Sequence, residues 1–287
     1  MVRPYRVTFA TALFGPTDRD ASTRAFAAML AALQRIDANY LRSRGAGRGG
    51  VPPIAGSGVR YLEAPLGQDT LQDIPTSIAL GTVDGSDYAA WRAAEIEVRE
   101  RVRAVVRATP QGALGTYRLE VVRADGRVEG PWIAHGVGLD KDGAPTGRVT
   151  YALNLFNGAQ NRPLSTLALD ALLDALTLID VDYFRAHPEA PGVMEAIRAR
   201  LVHYMEEPPG QEDFQDWPTC LRMGIYDCED GGSALAAQRI VRDRLPARAV
   251  ADAYPRSDGS ALYHVRTRVR TPRGIRTEDP SVAGGMS

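Results

Sequence analysis

The sequence predicts an α+β chain made of two tandem copies of one unit, each with helices packed on a small antiparallel sheet. Three observations carry this reading. A chain of 287 residues, at about 150 residues per domain, has room for two cores. Gly67 to Ala94 matches Gly210 to Ala237 at a constant offset of 143, with 11 identities in 28 positions. Within each copy a pattern of period two gives way to helical spacing and later returns to period two, the order expected when helices lie over an antiparallel ribbon.

The elements follow in chain order. Val149, Tyr151, Leu153 and Leu155 alternate with Thr150, Ala152 and Asn154, as in a half-buried strand, and Val7, Phe9, Thr11 and Leu13 repeat the pattern. Leu169, Leu172, Leu173, Leu176 and Ile179 then recur at helical spacing after a Ser165 or Thr166 cap, with Phe26, Met29, Leu30, Leu33 and Ile36 as their twin. A second helix is expected from Val193 to Glu206; Pro52, Pro53, Gly56 and Gly58 interrupt its counterpart. A third helix follows Asp227, and another follows Asp84. Each copy closes on a hairpin, in the second copy Ala261 to Arg270, a Thr271 to Gly274 turn and Ile275 to Glu278. The seam falls at Lys141 to Gly147, dividing the chain into 1–142 and 143–287.

Composition excludes several classes. Hydrophobic residues make up 44% and charged residues 24%, ordinary for a soluble globular chain. A net charge of -1 gives no electrostatic reason to expect nucleic acid or an anionic membrane as the main partner. No apolar run approaches the roughly 20 residues of a membrane span, and Val7 to Phe14 lacks the long apolar region of a signal peptide. Lys141 is the sole lysine, which removes a P-loop lysine and disfavours a Schiff base. Cys220 and Cys228, with His135, His187, His203 and His264, match no zinc spacing, so neither metal nor cofactor is expected.

Chemistry concentrates in the second copy. Cys228 lies in Tyr226-Asp227-Cys228-Glu229-Asp230, at the start of the third helix, where the helix dipole can lower a thiol's pKa and backbone N–H groups can hold an oxyanion. His264 is on the first hairpin strand, on the face opposite Tyr263, Val265, Thr267 and Val269. Asp279 follows the second strand directly, so the hairpin sets a base beside an orienting carboxylate. Cys220, among Thr219, Leu221 and Met223, reads as a buried spectator. Asp216 and Trp217 read equally as cleft residues or as a helix cap and a core aromatic.

Gln215-Asp216-Trp217-Pro218-Thr219, Gly224, Asp227-Cys228-Glu229-Asp230, Tyr263-His264-Val265 and Glu278-Asp279-Pro280-Ser281 with Gly285-Met286 together resemble the transglutaminase-like, papain-like cysteine peptidase superfamily. They are most similar to its tailed-bacteriophage members. The resemblance implies Cys228 as nucleophile, His264 as base and Asp279 as orienter, in a virion or tail-associated protein. Its partners would be other phage structural proteins or a peptide or peptidoglycan amide, and its place the host cytoplasm during assembly or the virion. Three positions depart from the family pattern: Tyr226 stands for a usual Gly, Gly231 and Gly232 for better helix formers, and Gly284 for a usual Leu. In the first copy the same alignment sets Gly85 against Cys228, Arg118 against His264 and Gly130 against Asp279, so that copy reads as a pseudoenzyme.

Two functional readings stand level. One is a thiol acyl-transfer enzyme acting on an amide, as a cysteine peptidase, amidase or transglutaminase-like acyltransferase. The other is a structural or adaptor protein of the particle with a vestigial triad. The letters Gly45-Ala46-Gly47-Arg48-Gly49-Gly50 satisfy a dinucleotide fingerprint, but they follow a helix and run into Val51-Pro52-Pro53, which reads as a loop. Arg42, Arg44 and Arg48 beside it read as solvated charge or, less readily, as phosphate contacts.

Overall fold

The computed structural model describes residues 5–14, 18–44, 51–67, 69–154, 162–207, 212–255, 257 and 261–285. The fold is mixed α and β, with small sheets and eight α-helices among the described residues, consistent with the α+β expectation. Residues 1–142 contain β1 (Tyr5–Ala10), α1 (Arg19–Ser43), β2 (Arg60–Tyr61), β3 (Thr70–Gln72), α2 (Ile74–Leu80), β4 (Thr82–Val83), α3 (Gly85–Glu95), β5 (Ala104–Pro110), β6 (Tyr117–Arg123) and β7 (Val128–Ala134). Residues 143–287 contain β8 (Arg148–Leu153), α4 (Arg162–Ala186), α5 (Val193–Arg198), β9 (His203–Tyr204), β10 (Asp213–Gln215), α6 (Trp217–Met223), β11 (Ile225–Tyr226), α7 (Cys228–Val241), β12 (Ala247–Pro255), β13 (Ala261–Thr271), β14 (Gly274–Glu278) and α8 (Pro280–Gly284).

The central sheet runs β10-β1-β8-β3. Strands β1 and β8 pair antiparallel, Thr8 facing Thr150, with their hydroxyl oxygens 3.3 Å apart. Each outer strand comes from the other half: β10 lies parallel to β1, and β3 parallel to β8. Asp216 then accepts from the Ala12 N–H at 2.9 Å, and Asp73 accepts from the Asn154 N–H at 2.9 Å. One sheet therefore draws two strands from each half.

Helices α1 and α4 pack together behind it. Their apolar stripes explain why: Phe26, Met29, Leu30, Leu33 and Ile36 of α1 and Leu172, Leu173, Leu176 and Ile179 of α4 are buried in a core shared with Phe9, Tyr151 and Phe214. Phe9 stacks at 5.4 Å from Tyr151 and 5.2 Å from Phe214, centroid to centroid.

Sheets β5-β6-β7 and β12-β13-β14 close the two halves. Each has three strands where the sequence reading gave a hairpin; the extra strands are β5 and β12. The turn from β13 to β14 is placed as expected, with Gly274 at φ +121°. Two expectations are corrected. The second helix stops at Arg198 instead of reaching Glu206: Arg200 takes φ +57°, the Leu201 N–H bonds back to the Ala196 carbonyl at 2.9 Å, and His203–Tyr204 leave to pair with β11. Helix α4 already spans Arg162, so Ser165 and Thr166 lie inside it and do not cap it. Leu155 and the Gly45 to Gly50 stretch fall outside the described residues.

Candidate active site

Aspartates shape the ground beneath Cys228. Asp216 caps α6 by accepting from the Thr219 N–H, and Asp180 holds the Trp217 N–H at 2.7 Å. Trp217 is fully buried, and its indole donates to the Pro191 carbonyl at 3.0 Å. Asp216 is thus a cap and Trp217 a core aromatic. Gly224 ends α6 in the left-handed region at φ +74°, turning the chain into β11. Asp227 then caps α7, exchanging bonds with Asp230, which also accepts from the Gln215 N–H at 2.7 Å. These bonds fix Cys228 as the first residue of α7, over the end of the central sheet.

From the other side, β13 carries His264. Its Nε2 meets Asp279 Oδ2 at 2.7 Å, with the two side chains 15% and 21% exposed. The other oxygen of Asp279 caps α8, accepting from Ser281 and Val282. With one end fixed by that helix, the carboxylate holds the ring and leaves Nδ1 as the nitrogen available to a neighbouring acid or base. Val265, Thr267 and Val269 face α7 and are buried, which sets His264 on the opposite row as predicted. The Thr267 hydroxyl donates to the Gly232 carbonyl at 2.7 Å, and the Val265 backbone N–H faces the Cys228 sulfur.

His264 and Asp279 are therefore brought together, while the thiol is not hydrogen-bonded to the imidazole. Cys228 Sγ instead lies 3.1 Å from Glu229 Oε2. Burial, then the carboxylates of Glu229 and Asp227, push the thiol well above its usual pKa. This reverses the expectation from the helix dipole, because desolvation and two nearby anions outweigh the single favourable contact from Val265. Cys220 is fully buried, with its sulfur 3.7 Å from the Gln215 carbonyl, in the spectator role expected of it.

Glu229 and Glu207 are the site residues that sequence reasoning passed over. Oxygens of Glu207, Asp227 and Glu229 all lie within 4.8 Å of one another. Hard carboxylate donors at that spacing suit calcium or magnesium. Their existing partners are the Asp213 N–H on Glu207, the α7 backbone on Asp227 and the thiol on Glu229. Burial lifts the Glu207 carboxyl to about 7 and both Asp227 and Glu229 well above the ordinary carboxylate range. Glu229 stood in view beside Cys228; Glu207, well upstream on no recognisable motif, gave no signal.

Three of the residues at which the chain departs from the pattern it resembles, Tyr226, Gly231 and Gly284, form one packing unit. The Tyr226 ring is buried and its hydroxyl donates to the Pro280 carbonyl at 2.9 Å. A Cβ on Gly284 would lie 1.9 Å from that hydroxyl, and one on Gly231 2.8 Å from the ring. Tyr226 fills the room that side chains at 231 and 284 would need. Gly232 has a separate cause: its Cβ would stand 2.8 Å from a Val265 methyl.

Gly85, the residue 143 positions before Cys228, has no room for a side chain. A Cβ on Gly85 would sit 2.0 Å from the Ile133 carbonyl oxygen, so β7 occupies the space a thiol would take. Arg118 is an exposed residue of β6, paired with Glu120 at 2.8 Å, and Gly130 adopts φ +114°.

No family model and no curated protein matches the chain. A solved structure with a weak likeness is the periplasmic domain of TgpA from Pseudomonas aeruginosa bound to ethylmercury, at 13% identity and TM-score 0.22, covering 65% of this chain and 86% of that one. No helix among the described residues is long and apolar enough to cross a membrane.

Proposed function

We propose that residues 143–287 form a transglutaminase-like domain that transfers acyl groups through Cys228, with His264 as base and Asp279 as its orienter. Residues 1–142 would be a repeat of that domain without the chemistry. The observation that carries the reading is the His264–Asp279 pair, at 2.7 Å, with His264 on the strand whose next residue, Val265, turns its backbone N–H toward the sulfur. In the reaction, His264 takes the thiol proton as sulfur attacks the amide carbonyl carbon. The C–N bond breaks, the amine leaves with that proton, and a thioester remains for water or a second amine to attack. Backbone N–H groups at the start of α7 supply charge stabilisation for the oxyanion. On this reading the activity would serve a phage virion or tail, with peptide or peptidoglycan amides as substrates.

A second reading has its own observation. Gly85, Arg118 and Gly130 occupy the aligned positions in a half that still folds, so the architecture serves without catalysis; on this reading the chain is a structural or adaptor protein of the particle. p-Nitrophenyl acetate separates the two. Acetylation of Cys228, turnover beyond one equivalent, and loss of both in His264→Ala and Asp279→Asn are expected for the enzyme. No acetyl-Cys228 in the folded wild-type chain, or no effect of His264→Ala, would favour the structural reading. Lys141, the sole lysine, gives the acetylated peptides a simple background.

A further inference from the structure

Arginine gathers at a cavity that shares no lining residue with the Cys228 site. Between α1 and β5, across a π-helical turn at Ile96–Glu100, lies an open cavity of about 480 Å³. Its polar lining is Gln34, Arg35, Arg42, Glu97, Arg101 and Arg103. Arg35 is already paired with Asp174, and Arg42 with Glu97. The guanidinium groups of Arg101 and Arg103 have no hydrogen-bond or ion-pair partner among the described residues.

The volume lies within the range of small-ligand pockets. Four guanidinium groups face one carboxylate in the wall, an excess of positive charge in a chain whose net charge is -1. Guanidinium forks match phosphoryl oxygens in pairs. The positions 143 residues later provide a comparison within the same chain: Leu178, Arg185, Ile240, Arg244 and Pro246 replace Arg35, Arg42, Glu97, Arg101 and Arg103. Arg101 and Arg244 share the left-handed backbone, at φ +57° and +55°, so the helix ending accounts for that arginine's conformation in both halves. It does not account for Arg35 and Arg103, which occur in the first half alone.

We propose that this cavity binds a small phosphoryl-bearing ligand, held by Arg101 and Arg103 and flanked by Arg35 and Arg42. Glu97 in the wall and Asp174 beside it oppose a long polyanion laid across the surface, which favours a compact ligand seated inside.

Pyrophosphate is the probe, titrated calorimetrically into the full-length chain. Saturable one-to-one binding is expected, weakened at least tenfold in the double variant Arg101→Gly, Arg103→Gln. Glycine accepts the left-handed backbone at 101, so the fold survives there. The control Arg273→Gln, an exposed arginine in the β13–β14 turn, is expected to bind as wild type. Equal losses in the control and the double variant would overturn the proposal, as would non-saturable binding. Tighter binding of a short DNA duplex, falling steeply with salt, would replace it with a polyanion surface.

Discussion

Glu229→Gln is expected to speed alkylation of Cys228 by iodoacetamide at about pH 8 at least tenfold. The glutamine keeps the shape and removes a carboxylate whose oxygen lies 3.1 Å from the sulfur. At that distance two unit charges repel by about 1 kcal/mol at the dielectric of water and by about 5 kcal/mol at an effective dielectric of 20. The site is buried, so the true value lies above the lower bound, and about 1.4 kcal/mol multiplies the thiolate fraction by ten. Peptide mass spectrometry reads the rate residue by residue. Cys220, fully buried, reports on integrity, since its labelling would signal unfolding. An unchanged or slower rate at Cys228, with Cys220 silent, would show that access to the sulfur limits its reactivity and would refute the electrostatic account.

Three further outcomes follow from the geometry. Gly284→Ala is expected to destabilise the chain by about 1–3 kcal/mol through overpacking against the Tyr226 hydroxyl, and by at least about 1 kcal/mol less on a Tyr226→Phe background; additive effects in chemical denaturation would break the link between these residues. Glu207 has a folded-state carboxyl raised from 4.5 to about 7, so the folded chain binds the extra proton in that window and its contribution to stability falls as pH rises through it. The melting temperature of the wild type should drop more steeply over that range than that of Glu207→Gln, and parallel profiles would contradict the shift. Calorimetry should give one unfolding transition, because β1 and β10 share hydrogen bonds across the halves; two resolved transitions would mean that the central sheet does not bind them into one unit.

The parts of this architecture readable in the sequence were those set by local periodicity and capping. The α1 and α4 stripes needed only helical spacing of Phe, Met, Leu and Ile, and Asp227 announced the helix it caps; the short α8 capped by Asp279 was not foreseen. The β13–β14 turn was fixed by Pro272 and Gly274. What could not be read depended on distant partners. Helix α5 ends early because His203–Tyr204 find β11, and no propensity in Val193 to Glu206 signals that pairing. The dipole argument for Cys228 was sound locally, but burial in the folded chain, with the charges of Glu229 and Asp227 beside the sulfur, outweighs it. Tyr226, Gly231 and Gly284 appeared as three unrelated departures, and only the contact between them makes them one substitution spread over the chain.

The strand exchange in the central sheet sets the order in which the chain can mature. Strand β1 leaves the ribosome well before its parallel neighbour β10, which lies about two hundred residues later, the separation spanned by the bond from Ala12 to Asp216. Until Asp213–Gln215 have been synthesised, β1 is an edge with an apolar face and no neighbour on that side, open to other nascent copies of itself. Contacts so distant in sequence slow folding. Strand β1 must therefore wait for some two hundred further residues before that edge is covered, and chaperone protection during synthesis would matter most there.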